Sequence, residues 1–447
     1  MSMQLYLTYG STTLDFQADG YKLIDGFFPE TPDEGKESVS DQFNVLIKGS
    51  TGADLHAKIT AMRLAFEHAR RHKDDAQAAR IYYGVDTTEA AWMSRLLGGT
   101  IIYNDKLGRN WRHHSVIATI IIERKPYWDA KNEVQVPLTN GNGTNNITGL
   151  TVYNHDDAGA SPYHDNWVEI AAADVLGDMP GPTRLELINN YATARLYTAW
   201  IGQNWTDPDN LAHILEAEDS TGGTDKSDSG CSGGYYSEYI LASGAETEMF
   251  TWSLGASLLD ACKGQYYKIM ARFVTGAPTS VKFRLKLKYA ATTIWQSGQI
   301  TLDATRSLQI RDMFTLRLPP WLLGQIDLSA LSLILTGQQI TGSPVYVEPD
   351  FLQITPLDGW RMLECAGYGV VQNERMIDDG MNGNSYIDNG AGDNKVGIVV
   401  GYGSPIELYP GKKQRLYILM HSNTANTAEI LRTISAKLYY HPRRQTL

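Results

Sequence analysis

The fold of the N-terminal part of this chain is decided by the stretch VIATIIIERKPYW, residues 116–128. Its first seven residues are mostly β-branched, a composition typical of a buried strand. The proline at position 126 lacks a backbone N–H donor and therefore ends the strand ladder, and two aromatic residues follow it. We therefore expect a buried strand here and place the first domain boundary directly after it, at residue 128.

Upstream of that strand, residues 1–128 combine strand patterns with one clear helix. Thr51 followed by Asp54 is a variant of the capping box that starts helices. The basic run at 70–73 suits the negative end of a helix dipole. Between them, one apolar stripe recurs at helical spacing, formed by Leu55, Ile59, Met62, Phe66 and Ala69. We predict a helix over 52–72 inside a sandwich-like or barrel-like β-domain.

The rest of the chain shows almost no helical periodicity. Strand candidates appear roughly every 8–15 residues, which favours β-sandwiches of the galectin-like or jelly-roll type. Residues 129–206 supply too few strands for one sandwich, but together with 357–447 they supply enough. Residues 207–356 contain enough strands for a second complete sandwich. Insertion of a domain at an exposed loop is well tolerated. We predict a mainly β protein in which one sandwich is inserted into another.

Composition excludes several classes of protein. The 447 residues carry a net charge of −11, which disfavours nucleic-acid binding because phosphate contacts need a basic surface. The segment 156–228 alone has fourteen acidic and three basic residues. No run of 18 apolar residues predicts a membrane span, and we expect no secretory signal. The three cysteines match no disulfide framework or zinc motif, so we expect reduced thiols at Cys231, Cys262 and Cys365.

Two motifs of catalysis are missing from the sequence. It contains no His-Glu-x-x-His and no phosphate-binding glycine loop. The carboxylates Glu216, Glu218 and Asp219 are close in sequence, but glycoside hydrolysis needs a fixed separation across a cleft. We predict a protein that is not an enzyme, and we keep a polysaccharide hydrolase as a less favoured alternative.

A calcium loop is the best metal candidate. Calcium prefers several oxygen ligands from a flexible loop, and such ligands occur at Asp378, Asp379, Asn382 and Asn384. Two positions of the EF-hand pattern fail, since Gly380 and Asn389 stand where ligands belong. An ordinary Asn/Asp/Gly turn explains the cluster equally simply. We therefore predict no cofactor and leave a structural calcium ion open.

Sugar binding is the remaining ligand hypothesis. Exposed aromatic rings next to polar groups can stack on the C–H faces of sugars. In the two adjacent tyrosine pairs, one ring of each pair must point outward if the pair lies in a strand. The candidates all fall in the predicted insertion: Tyr235, Tyr236, Tyr239, Trp252, Tyr266, Tyr267 and Trp295.

The arrangement resembles the distal tail protein family of long-tailed, siphovirus-type bacteriophages. The resemblance is carried by the stretch 120–128, IIIERKPYW, where the ring-forming domain of such proteins passes into the outer one. The segment 174–182, DVLGDMPGP, is similar to the start of the outer sandwich. The segments 409–411 and 436–444, YPG and AKLYYHPRR, are similar to its closing strands.

The resemblance implies a structural protein of the virion, made in the bacterial host cytoplasm. It implies a homo-oligomeric ring, a hexamer, that joins the tail tube to the hub and to fibre or receptor-binding proteins. The insertion is similar to carbohydrate-binding modules, which implies contact with host-surface glycans. Three alternatives stay open: another tail-tube or baseplate component, a stand-alone lectin-like protein, and the hydrolase named above.

Overall fold

The computed structural model describes residues 3–18, 20–32, 35–73, 77–84, 92–103, 114–145, 147–156, 160, 163–209, 213–242, 244–254, 266–274, 278–302, 310–317, 328–390, 395–422 and 432–447. Within these residues nearly all regular structure is strand, with one long helix. The prediction of a mainly β protein built from barrel-like and sandwich-like sheets is confirmed. Cys262 lies outside the described residues.

The N-terminal sheet curls into a nearly closed barrel. Its main strands follow the order β2-β1-β5-β6-β7-β4-β3, and the Leu23 N–H donates to the Phe16 carbonyl at 3.0 Å across the gap between the two ends. The run 116–122 lies in the long strand β7, which pairs with both β4 and β6. The strands are β1 Gln4–Tyr9, β2 Thr12–Asp15, β3 Tyr21–Leu23, β4 Val39–Lys48, β5 Arg80–Gly84, β6 Trp92–Tyr103, β7 Ser115–Arg124 and β8 Trp128–Ala130.

The helix α1, Gly52–Arg71, matches the prediction to within one residue. Thr51 is the N-cap, and its hydroxyl accepts the backbone N–H of Asp54 at 3.1 Å. The Asp54 carboxylate reaches back and accepts the backbone N–H of Ser50 at 2.7 Å, so the cap satisfies one N–H group of the first helical turn and one of the residue that precedes the N-cap. The predicted apolar stripe faces the barrel core, where all five of its residues are buried.

A buried arginine holds the end of β7. The Arg124 and Asp41 side chains are both fully buried, and Arg124 Nε lies 2.5 Å from Asp41 Oδ2. Arg124 also donates to the Glu30 carbonyl at 3.0 Å, while Asp41 accepts the Glu30 backbone N–H at 2.7 Å. The guanidinium lies 4.5 Å from the ring centre of Trp128. One side chain therefore connects β7, β4, the loop at residue 30 and the first residue of β8.

The outer sandwich begins after β8. Its first strands are β9 Val134–Val136, β10 Leu138–Asn140, β11 Gly143–Asn145, β12 Leu150–Tyr153, β13 Trp167–Ile170, β14 Gly181–Asn189 and β15 Thr198–Asn204. β10 and β11 form a hairpin over residues 138–145.

The chain then enters the insertion and leaves it next to where it started. The insertion forms three sheets, with orders β16-β27-β20-β24, β17-β18-β26 and β19-β25-β21-β22. Its strands are β16 His213–Glu216, β17 Thr224–Ser227, β18 Tyr235–Leu241, β19 Thr247–Ser253, β20 Tyr266–Phe273, β21 Val281–Tyr289, β22 Thr292–Gln296, β23 Ile300–Thr301, β24 Ile310–Arg317, β25 Leu331–Gln339, β26 Val345–Val347 and β27 Pro349–Leu357. Single 3₁₀ turns lie at Ala172–Asp174, Ser232–Gly234 and Leu328–Ala330.

The remaining strands complete the outer sandwich. They are β28 Gly359–Cys365, β29 Arg375–Asp379, β30 Asn384–Asp388, β31 Lys395–Gly403, β32 Glu407–Leu408, β33 Gln414–His421, β34 Thr433–Tyr440 and β35 Arg443–Arg444. β28 pairs with β15, so the insertion interrupts what is otherwise a hairpin. β31 pairs with β28 on one side and with β30 on the other, and it joins the two halves of the fourteen-stranded sheet.

Strand β27 ties the insertion to the outer sandwich. All nine of its residues are buried, because both of its faces are covered. Leu352 and Ile354 point into the core of the insertion. On the other face, Gln353 accepts a hydrogen bond from Asn166 of the outer sandwich at 2.7 Å. A single residue, Asp358, separates β27 from β28.

The C-terminal strand returns to the N-terminal sheet, which the boundary at residue 128 did not anticipate. β35 pairs with β8, and Arg443 Nε lies 2.7 Å from Asp129 Oδ1. The Arg443 guanidinium also lies 3.7 Å from the ring centre of Tyr127. We call this set of contacts between 127–130 and 443–444 the C-terminal clasp. The division of the chain into domains stays a prediction, and the clasp joins two of its proposed parts.

Three of the four basic side chains on β21 contact acidic side chains of the same chain. Apolar and basic residues alternate along the strand, and its apolar residues Val281, Phe283, Leu285 and Leu287 are buried. Of its four basic residues, Arg284 and Lys286 contact Glu246, and Lys288 contacts Glu248. This face is therefore not a free cationic surface for an acidic partner.

Replacing the buried Asp41 with alanine should destabilise the protein strongly. The change leaves Arg124 buried without its counter-ion, a situation that costs about 3–5 kcal/mol. Chemical denaturation followed by circular dichroism measures the free energy of unfolding. The matched control is Glu67→Ala, which removes an exposed pair with Arg71 and should cost below about 1 kcal/mol. Equal losses in the two variants would contradict the role given to the Arg124–Asp41 pair.

Candidate functional site

The predicted sugar-binding aromatics do not form one platform. Tyr235 and Tyr266 are the most exposed, at 49% and 53%, and they lie on different sheets of the insertion. Tyr236, Tyr239 and Trp295 are half-buried, and the last two pack against the core of the insertion.

Two of the candidates are core residues. Trp252 and Tyr267 are buried, and the Trp252 indole N–H donates to the Glu216 carbonyl at 2.7 Å. A sugar cannot reach either ring in this conformation. The pairs Tyr235-Tyr236 and Tyr266-Tyr267 do place one ring more outward than the other, as strand alternation predicts. One face of the outward Tyr266 is already covered by the Arg317 guanidinium, which lies 4.9 Å from its ring centre. Glycan binding by these residues stays a prediction.

The candidate calcium loop is a hairpin whose carboxylates have protein partners. Asp378 forms two hydrogen bonds with Arg361, at 2.7 and 2.9 Å. Asp379 accepts the backbone and side-chain N–H groups of Asn382 at 3.0 and 2.7 Å. Asn384 begins strand β30. Across the part of the chain that the structure describes, no three His, Cys, Asp or Glu side chains are grouped to hold a metal ion.

A buried polar cluster lies where the insertion meets the outer sandwich, and we call it the stem cluster. Arg272 and Asp350 form a fully buried ion pair, and Asp350 also accepts the Ser232 backbone N–H at 3.0 Å. The Ser232 hydroxyl contacts both His155 Nε2 and the Glu216 carboxylate. His155 belongs to the outer sandwich and the other four residues to the insertion, so the cluster crosses the junction.

The stem cluster does not have the geometry of a nucleophilic triad. In such a triad the serine contacts one imidazole nitrogen and the acid contacts the other. Here His155 and Glu216 converge on the same serine oxygen. Ser232 is also 2% exposed, so a substrate cannot reach it. The arrangement is suited to holding the junction together rather than to acyl transfer.

A cleft lies beside this junction, and no sequence candidate lines it. Its volume is about 660 Å³, and its walls include three aromatic residues, Trp205, Trp360 and Tyr409. These residues stand just after β15, in β28 and just after β32, so only the folded sheet brings them together. A sequence signal existed for two of them, since Trp205 and Trp360 flank the two ends of the predicted insertion.

Two further sequence expectations concern thiols and membranes. Cys231 and Cys365 are free and buried, and burial raises the pKa of each thiol to about 12. None of the described residues forms a helix long and apolar enough to cross a membrane.

Comparisons with known proteins give slight likenesses. No family model matches the sequence, and no curated protein matches it. Among solved structures, a chain of the phage P2 baseplate in its activated conformation with Ca aligns over 45% of this chain and 72% of its own, with 8% identity and a TM-score of 0.26. An exo-β-1,3-galactanase from Phanerochaete chrysosporium aligns over 63% of this chain and 66% of its own, with 14% identity and a TM-score of 0.20. Likenesses of this size carry no argument about the role of this chain.

Glu218, at the edge of the stem cluster, should make stability depend on pH. Burial, together with the neighbouring carboxylates of Glu216, Asp350 and Asp219, raises the pKa of this carboxyl to about 7. A raised pKa means that the folded state holds the proton more tightly than the unfolded state does. Stability from this group is therefore present at low pH and lost as pH rises from about 4.5 through 7.

We expect Glu218→Gln to raise the melting temperature above pH 7 and to have little effect near pH 4.5. Thermal unfolding at both pH values measures this difference. Glu67→Gln, an exposed glutamate on α1, is the control and should shift neither value by more than a degree or so. A stabilisation that does not change with pH would show that Glu218 is ionised in both states.

Proposed function

We propose that this chain is a structural component of a bacteriophage tail tip, of the distal tail type. In this proposal the N-terminal domain forms a hexameric ring between the tail tube and the hub. The outer sandwich and its insertion project outward, towards the fibre or receptor-binding proteins and the glycans of the host surface. The resemblance of 120–128, 174–182 and the closing strands to that family motivates the proposal.

The observation that carries the proposal is the set of exposed apolar side chains on the N-terminal domain. Phe28 is 80% exposed, an unusual state for a phenylalanine in a folded domain. Ile24 lies in the same loop region, whereas Leu64 lies on α1 and Ile102 on β6, and these three are about half-exposed. The apolar residues thus occupy different elements rather than one patch.

A closed ring needs such a distribution. Each subunit of a ring presents two different surfaces, one to each neighbour, and the rotation between subunits closes the circle. A two-fold dimer would need only one self-complementary patch. Exposed apolar area is costly in water, so contact between subunits would stabilise both surfaces.

The internal construction suits a load-bearing connector. The clasp pairs β35 with β8, and β27 is packed between the insertion and the outer sandwich. Both junctions are made by paired or buried strands rather than by free linkers. Force applied to the insertion is therefore passed to the N-terminal barrel through strands.

The experiment is the native mass of the purified chain, combined with negative-stain imaging of the same sample. We expect an assembly of six 49.6 kDa chains, with six-fold rings that have an axial channel. A monomer at a concentration of about 100 μM, with no rings, would count against the ring as proposed.

The substitution Phe28→Ser should shift that assembly towards monomers without unfolding the chain. The expected cause is the loss of apolar contact area at a position that packs little within its own subunit. The control is Ile147→Ser, because Ile147 is 76% exposed but belongs to the outer sandwich. If both variants assemble like the wild type, or both dissociate, Phe28 is not part of the ring contact.

A further inference from the structure

We infer that the cleft beside the insertion junction is a binding site for a neutral sugar segment. This site is distinct from the exposed tyrosines of the insertion and does not depend on the ring. The cleft measures about 660 Å³, which falls within the usual range of small-molecule sites, about 300–1,000 Å³.

One wall of the cleft is a pair of stacked aromatic rings. The ring centres of Trp205 and Tyr409 lie 4.2 Å apart, with their planes 26° from parallel. Each ring covers one face of the other, so only an outer ring face is left for a ligand, and the pair is not the enclosing cage of rings that recognises quaternary ammonium groups. Trp360 supplies a third ring, and a pyranose presents a flat face of C–H groups that such rings accept.

The Trp205 backbone is fixed in place by a carboxylate at the end of the insertion. Asp358 accepts the backbone N–H groups of Trp205 and Thr206 at 2.6 and 2.7 Å, and it accepts the Thr206 hydroxyl at 2.7 Å. Asp358 is the single residue between β27 and β28. Its hydrogen bonds therefore connect the point where the chain leaves the insertion to the point where it enters. The backbone at the rim of the cleft is thus held before any ligand arrives, which lowers the cost of binding.

The polar groups of the cleft suit hydroxyl donors. Asp358 and Glu407 supply carboxylate oxygens, and Gln203 supplies an amide whose N–H groups are held by the Glu407 carbonyl and by Gln414. Burial raises the pKa of Glu407, although Arg443 acts against this. Rings beside such acceptors match a molecule with one apolar face and a rim of hydroxyl groups.

The charges select against acidic ligands. No Lys, Arg or His is among the described residues that line the cleft, whereas two of them are acidic. Lys268 and Lys412 approach the rings of Trp360 and Tyr409, at 5.5 and 5.6 Å, without lining the cleft. Phosphate-bearing and uronic-acid sugars would meet the carboxylates of Asp358 and Glu407. The fitting ligand class is therefore a neutral hexose or N-acetylhexosamine segment.

The test uses the full-length chain and isothermal titration calorimetry. The probes are trisaccharides of glucose, galactose and N-acetylglucosamine, with the galacturonic acid trisaccharide as the acidic counterpart. We expect at least one neutral trisaccharide to bind and the acidic one not to bind. Failure of all three neutral probes, or preference for the acidic one, would overturn the proposal.

Two cleft variants and two control variants locate the site. Trp205→Ala removes the stacked wall, and Ser404→Trp fills the cleft from an exposed position where folding should be unaffected. Each should weaken binding at least tenfold. Tyr235→Ala and Tyr266→Ala, on the insertion surface, should leave binding within twofold. The opposite pattern would assign the sugar site to the insertion and reject the cleft.

The native mass of the same variants distinguishes the sugar-binding proposal from the proposal of a hexameric ring. None of the described residues that line the cleft belongs to the N-terminal domain, so variants of the cleft should assemble like the wild type. Cleft variants that no longer bind the sugar but still assemble would support the cleft as the sugar-binding site. A monomeric wild-type chain that still binds the sugar would reject the ring and keep the cleft.

Discussion

The buried ion pair between Arg124 and Asp41 is the constraint on which the arrangement of the N-terminal domain depends. Two charges that are both fully buried must satisfy each other, because neither can be solvated by water. The pair fixes the end of β7 against the start of β4. The same guanidinium packs on Trp128, and so sets where the chain leaves the barrel and where β8 begins. The C-terminal clasp is built on β8, so its position depends on this one arginine.

The second constraint is the burial of β27 on both faces. A strand of this kind must satisfy its polar side chains internally, which explains why Gln353 has a side-chain partner in Asn166 and why Asp350 has one in Arg272. The insertion is therefore coupled to the outer sandwich by a shared core rather than by a linker. Apolar contact at the junction adds to this coupling, through Trp200, Met270, Ile310 and Leu419.

The two surfaces to which we assign roles lie on different parts of this coupled structure. Phe28 and the other exposed apolar residues of the N-terminal barrel lie on the part of the chain where subunit contacts are proposed. The aromatic cleft lies at the root of the insertion, bounded by strands of the outer sandwich and by the single residue Asp358. Because the barrel is clasped to the sandwich, a ring of barrels would hold several clefts at defined positions. Multiple weak sugar contacts from one rigid ring would then act together.

The sequence by itself determined the local elements whose cause is local. Helix α1 was predictable because its cap, its apolar stripe and its basic end all lie within about twenty residues, and the same holds for β21 with its strict alternation. The aromatic and acidic candidates were chosen by residue type, because the sequence does not show which side chains are buried or which partners they contact. Burial then placed Trp252 and Tyr267 in the core and paired Asp378 with Arg361.

Only the tertiary structure decided which distant segments meet. Pairing of β35 with β8 joins residues more than 300 positions apart, and nothing in either short segment specifies the other. The cleft likewise combines residues near positions 205, 360 and 409. The alternation of apolar and polar residues in a strand indicates which face is buried, but the neighbouring strand depends on the packing of the whole sheet. The sequence therefore determined what the elements are, and the packing of sheets decided where a ligand could bind.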